Sequence, residues 1–136
     1  MSSANHYKLN KLVRDKSVQR MENEGALVMW RELEQPQRIP HLLKKLHEEQ
    51  LEVQSAFSMG DKKNMTNELS DLMDVITALA DAADIKMEEV MASSEDKKRT
   101  RGGFGRGIYV DKIICPEGST FDVYCARDPE KYPLTN

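Results

Sequence analysis

Two stretches of the chain carry a helical repeat of apolar positions. Take roughly 100° of rotation per residue. Leu42, Leu43, Leu46, Val53, Ala56 and Phe57 then share one arc of about 140°, with Lys44, Glu48, Leu51 and Ser55 on the far side. In the next stretch Leu69, Leu72, Val75, Ile76, Leu79, Ala82 and Ala83 form a broad apolar face. Ser70, Asp74, Thr77, Asp81 and Asp84 form its opposite stripe. The first pattern predicts a helix over about 40–58, with Pro40 near its first turn. The second predicts a helix over about 65–83. The MGDKKN run at 59–64 is a short turn, so the two helices should pack antiparallel.

The remaining segments carry weaker signals. A short helix is expected around 17–23, stopped at Gly25. Residues 26–34 carry Leu27, Val28, Trp30 and Leu33 and fit helix or strand. A third helix should start near Ile85 and break at Gly102-Gly103. Beyond it, GIYVDKIIC and TFDVYC are β-prone runs around PEGS and read as a hairpin. The apolar face at 69–83 spans more than half the helix circumference, more than a surface helix needs. The expected fold is therefore all-α: a helical bundle, its face covered by the third helix and by a partner chain, with a small C-terminal β-hairpin. One domain is expected over 1–136, with a helical core at about 8–103 and the hairpin and tail at about 104–136.

Four acids interrupt this pattern. Glu49 lies inside the first apolar arc and Glu52 just outside its edge. Glu68 lies within the second face and Asp71 at its margin. Glu48 and Asp74 fall on the solvent sides of the same wheels. Burying an unpaired charge is very costly, and a single acid pair at three-residue spacing is most simply a solvated or snorkelling edge. Two such pairs in successive helices favour a shared hard-cation site, for which Mg²⁺ suits oxygen ligands.

Composition narrows the classes. The chain has 136 residues and a net charge of −3, which suits one domain and argues against a general nucleic-acid binder. No run approaches the ~18 apolar residues of a membrane span. The start MSSANHYKLNK has no apolar leader core, so a cytoplasmic location is expected. Cys115 and Cys125 have no zinc-site spacing and read as reduced, small apolar residues. His41 and His47 read as surface or capping groups. Met59, Met65, Met73, Met87 and Met91 read as core filler.

The acids stand as EQLE (Glu49 to Glu52) and ELSD (Glu68 to Asp71), within KKLHEEQLEVQSA and NELSDLMDVITALA. This arrangement resembles the MazG-like, all-α nucleoside triphosphate pyrophosphatase superfamily, whose motif is ExxE followed by ExxD. KLVRDK at 11–16 and KKRTRGGF at 97–104 look like the bookends of its phosphoribosyl-ATP pyrophosphohydrolase-like branch. The likeness covers about residues 8–110. It departs after KLVRDK, where Ser17-Val18-Gln19-Arg20 replaces the usual apolar continuation, and in the thirty or so residues beyond RGGF.

The resemblance implies Mg²⁺-dependent (or Mn²⁺-dependent) hydrolysis of a nucleoside triphosphate or related nucleotide to the monophosphate and pyrophosphate. House-cleaning of non-standard nucleotides would fit. It makes Glu49, Glu52, Glu68 and Asp71 the metal-binding and catalytic acids, with one of them or Glu48 orienting the water. It also makes Lys98 and Arg101 candidate phosphate contacts, within a cluster that includes Lys97, Arg99 and Arg106 beside Gly102, Gly103 and Gly105. Without the resemblance, that cluster reads as a solvated helix end favoured by the macrodipole. Arg14 and Lys16 are further phosphate candidates, or Arg14 pairs with Asp15 and pins the N-terminal segment. Trp30 could stack a base, although core burial is the commoner use of tryptophan. A nucleotide substrate and a homodimer or homotetramer are the expected partners. Two alternatives remain: phosphoribosyl-ATP pyrophosphohydrolase of histidine biosynthesis, and a non-catalytic oligomerisation or regulatory module with a vestigial metal site.

Overall fold

The computed structural model describes residues 3–135. Five helices are present among the described residues: α1 (Ser17–Asn23), α2 (Gln35–Ser58), α3 (Lys62–Ala82), α4 (Met87–Arg101) and α5 (Thr120–Ala126). The described residues contain no strand. The chain forms two compact units, one ending at Asp96 and the other beginning at Lys97. None of its described helices is long and apolar enough to cross a membrane.

In the first unit, α2 and α3 are the helices that pack on each other. Leu42, Glu49 and Ala56 are the buried residues of α2. Their seven-residue spacing is about two turns, so they form one stripe. Val75, Ala80 and Ala82 are buried on α3. Asp61 sets the start of α3, its Oδ1 accepting from the Asn64 backbone N–H at 3.0 Å, which satisfies one orphan donor of the first turn. The far end of α3 is tied to the start of α2. Gln35 Nε2 donates to the carbonyls of Asp81 and Ala82 at 3.2 and 3.4 Å and to Asp84 Oδ1 at 3.0 Å. The Asp81 carbonyl also accepts from the Asp84 N–H at 3.1 Å, so Gln35 supplements the backbone bonds that close this helix terminus. Asp84 itself turns the chain with φ of +56°, a conformation that aspartate tolerates better than most residues.

Several expectations need correction. The first helix starts at Gln35 rather than near Pro40. Pro36 sits in the first turn, where no N–H is needed. The Gln37 side chain accepts from the Glu34 N–H at 3.3 Å, and Pro40 removes only one helical bond. The second helix starts at Lys62, because Asp61 caps it. Residues 26–34 form neither helix nor strand. The short helix at Ser17–Asn23 is as expected, and the chain reverses at Gly25 with φ of +93°.

The expected C-terminal β-hairpin is absent among the described residues. TFDVYC lies in α5, with Ser119 as its N-cap residue and Asp122 in its first turn. Asp122 Oδ2 accepts from the Gly118 N–H at 2.7 Å. That bond favours a helical start over a strand, and the run GIYVDKIIC is left without a pairing partner. Cys115 and Cys125 are both free and half-buried. Nor does α4 cover the broad face of α3: it buries no residue, and Val90 and Met91 are exposed. Leu69, Met73 and Ile76 on α3 remain exposed, as do Leu43 and Phe57 of the first arc. The methionines are not core filler, since Met59, Met73 and Met91 are exposed and Met65 and Met87 only half-buried.

Candidate metal centre

The antiparallel pairing of α2 with α3 brings acids from both helices together. Ligand oxygens of Glu49, Glu68 and Asp71 all lie within 4.8 Å of one another. Glu49 is 5% exposed, while Glu68 and Asp71 are half-buried. Glu49 occupies the middle of the Leu42–Ala56 stripe, where an apolar side chain would ordinarily sit. Its Oε1 meets Lys45 Nζ at 3.3 Å. Its Oε2 and the Oε2 of Glu68 are buried without a hydrogen-bond partner.

Glu52 stands beside this trio but is itself exposed. Its carboxyl faces both Glu49 and Glu68. Burial, then a hydrogen bond with Glu52, pushes the Glu49 carboxyl above the usual carboxylate range, against the pull of Lys45. The bond to Glu49 lowers Glu52, but Glu68, partial burial and the charge of Glu48 outweigh it and raise Glu52 overall. Acids facing one another at this range are held together by a shared proton or by a cation.

Three cationic side chains partly offset the charge. Lys45 reaches Glu48 at 3.8 Å as well as Glu49. Lys11 Nζ meets Glu48 at 3.4 Å. Arg14 Nη2 contacts Asp71 Oδ1 at 2.5 Å and Asp74 Oδ2 at 2.8 Å. Arg14 thus pins the N-terminal segment, but its partners are Asp71 and Asp74 rather than Asp15. Glu48 and Asp74 lie outside the acid trio, as the wheels require, and serve as anchors for these cations. Sequence reasoning missed Lys45, although its four-residue spacing to Glu49 is a recognisable helix-pair signal. Lys11 carried no such signal, since its partner is thirty-seven residues away.

The donor set fits a hard divalent cation. All three trio ligands are carboxylate oxygens, and two buried oxygens lack any partner. Oxygens bound at about 2.1 Å to Mg²⁺ can lie up to about 4.2 Å apart, so the trio needs little contraction.

The other candidates stand elsewhere. Lys16 is exposed just before α1, and Trp30 is 60% exposed on the segment before α2 rather than in the core. Lys98 and Arg101 lie in the last turn of α4, in the second unit. Gly102 closes that turn, with φ of +81° and its N–H on the Lys98 carbonyl at 2.9 Å.

A helix pair with acids from both helices set in its apolar seam is the arrangement expected from the sequence resemblance to the MazG-like helical pyrophosphohydrolases. Residues 28–98, more than half of the chain, match the phosphoribosyl-ATP pyrophosphohydrolase family, and the chain belongs to that family. The matched region contains all four acids, Trp30 and Lys98, and excludes Arg14, Lys16 and Arg101. No curated protein matches the chain significantly, and no solved structure does. Family membership supports a nucleotide pyrophosphohydrolase-type activity.

Proposed function

We propose that the protein is a Mg²⁺-dependent nucleotide pyrophosphohydrolase that cleaves a nucleoside triphosphate to the monophosphate and pyrophosphate, in a house-cleaning role on non-standard nucleotides. The observation that carries this reading is Glu49: a carboxylate at 5% exposure, with one oxygen unpartnered, facing Glu68 and Asp71. A buried carboxylate without full compensation is retained at a cost to stability, which a cation bound between the two helices would offset. Mn²⁺ would suit the same oxygens.

Glu49, Glu68 and Asp71 would hold the metal, which would supply positive charge to offset the negative charge developing on the substrate phosphates in the transition state. Glu52, exposed beside the trio, is the acid best placed to orient a water toward the α-phosphorus. Attack forms the new P–O bond on the monophosphate. The α–β bridging oxygen leaves with pyrophosphate, and the water proton passes to a carboxylate. Lys98 and Arg101, with Arg14 and Lys16, are assigned to the substrate phosphates, because a polyphosphate needs cations and arginine offers a planar fork. Trp30, with its exposed ring, is the candidate for stacking on the base. We assign the exposed face of Leu69, Met73 and Ile76 to the interface of a homodimer or homotetramer, which light scattering in solution would test.

The family match favours a second substrate, phosphoribosyl-ATP, cleaved at the same α–β bond. The experiment is pyrophosphate release from a nucleotide panel that includes phosphoribosyl-ATP, with and without Mg²⁺. Release from triphosphates only with Mg²⁺ supports the proposal. Release confined to phosphoribosyl-ATP moves the protein to histidine biosynthesis. No release from any of them, with Mg²⁺ bound, leaves the non-catalytic module.

A further inference from the structure

Residues 3–16, before α1, form no regular secondary structure. Leu12 is half-buried, but Tyr7, Leu9 and Val13 are exposed, so little apolar surface anchors it. Its cross-links to the helix pair are ionic: Lys11 to Glu48, and Arg14 to Asp71 and Asp74. The Arg14 side chain is 62% exposed, and ion pairs at such exposure are weak. Yet Asp71 is also one of the three acids whose oxygens converge within 4.8 Å. A guanidinium at 2.5 Å from Asp71 Oδ1 puts a fixed positive charge against the position that the metal would take.

We propose that Arg14 and a divalent cation compete for Asp71, so that the N-terminal segment is a latch which metal binding opens. The proposal rests on the metal reading of the acid trio given above. Six carboxylates, Glu48, Glu49, Glu52, Glu68, Asp71 and Asp74, stand against three cations, Lys11, Arg14 and Lys45. Arg14 partly neutralises the cluster when no metal is bound. A divalent cation neutralises it better and repels the guanidinium. Coupling of this kind is reciprocal: Arg14 weakens metal binding by the factor by which metal weakens the hold of Arg14. A released Arg14 is then available to a substrate phosphate, which ties opening of the latch to loading of the site.

Both sides of that coupling can be measured on the full chain without turnover. Mn²⁺ is titrated calorimetrically into the wild type, Arg14→Gln and Arg14→Lys, with helix content checked by circular dichroism. Amide exchange of residues 8–16 is followed in the wild type with and without Mn²⁺. The expected result is Mn²⁺ binding about tenfold tighter in Arg14→Gln, with Arg14→Lys intermediate, and faster exchange of residues 8–16 once Mn²⁺ is bound. Equal or weaker binding in a folded Arg14→Gln would make Arg14 a support for Asp71 rather than its competitor and overturn the proposal, while leaving the metal site standing. Slowed or unchanged exchange in the wild type would overturn it even if Arg14→Gln failed to fold. If folded wild type and Arg14→Gln both bind no Mn²⁺, the metal reading fails and the latch with it.

Discussion

The α2–α3 pair and the unit that begins at Lys97 contain apolar residues in comparable mixture but use them differently. In the helix pair, apolar side chains close a narrow seam, and the charged Glu49 is buried inside it. In the C-terminal unit no described residue is buried. Phe104, Ile108, Tyr109, Val110 and Ile114 are all 70% exposed or more. Its tertiary ties are peripheral, such as the Tyr124–Tyr132 ring pair at 5.6 Å. Burial and the acid trio therefore coincide: the seam desolvates the Glu49 carboxyl, and the second unit has no comparable seam.

The sharpest break of that comparison is expected from the acids. Glu49→Gln or Asp71→Asn should reduce pyrophosphate release to background and abolish divalent-metal binding, with the helices intact by circular dichroism. Tyr132→Phe in the second unit should leave both near wild type. Full activity of wild type in excess chelator would remove the metal from the mechanism.

Arg101→Ala tests whether the second unit contributes to the chemistry at all. Losing a charge-assisted hydrogen bond to phosphate costs roughly 1.5–3 kcal/mol, which is about a 10- to 150-fold fall in kcat/KM. The melting temperature should barely move, because Arg101 is exposed. Unchanged kcat/KM on a good substrate would return this basic run to the role of a solvated helix end.

A stability profile separates the buried acid from the exposed one. Burial raises the Glu49 carboxyl above its ordinary 4.5. A raised acid stabilises the fold fully below its unfolded value and loses that contribution as pH rises through its folded value. The metal-free wild type should therefore lose stability relative to Glu49→Gln as pH rises from about 4.5 toward neutrality. Added Mg²⁺ should narrow the gap. Melting curves of both proteins across that range, with chelator and then with Mg²⁺, provide the check. A gap that does not change with pH would mean that Glu49 is not desolvated in solution.

The smallest effects are expected outside the trio. Glu48→Ala and Asp74→Ala should lower turnover by less than about fivefold, since each loses only exposed ion pairs worth about 1 kcal/mol or less. Loss of metal binding in Asp74→Ala would show that the inner acids of α3 had been assigned to the wrong face.

The helix pair and its acids were legible in the chain because helical periodicity is local. Seven-residue spacing alone aligns Leu42, Glu49 and Ala56, and the helical wheel of the second stretch puts Asp71 at the margin of the apolar face and Asp74 outside it. Fold class, the antiparallel pair and the four acids as candidates follow from that. Helix boundaries were less legible. Asp61 as a cap and Pro36 in a first turn moved both starts toward the N-terminus. Tertiary structure alone decided that Gln35 would tie α2 to the end of α3, and that Arg14 would find Asp71 and Asp74 across more than fifty residues instead of neighbouring Asp15. It also decided that Glu52 would stand outside the tight trio. The β-prone runs near the C-terminus misled for the same reason. A strand exists only when another strand accepts its hydrogen bonds, and that condition belongs to the folded chain, whereas a helix satisfies its own.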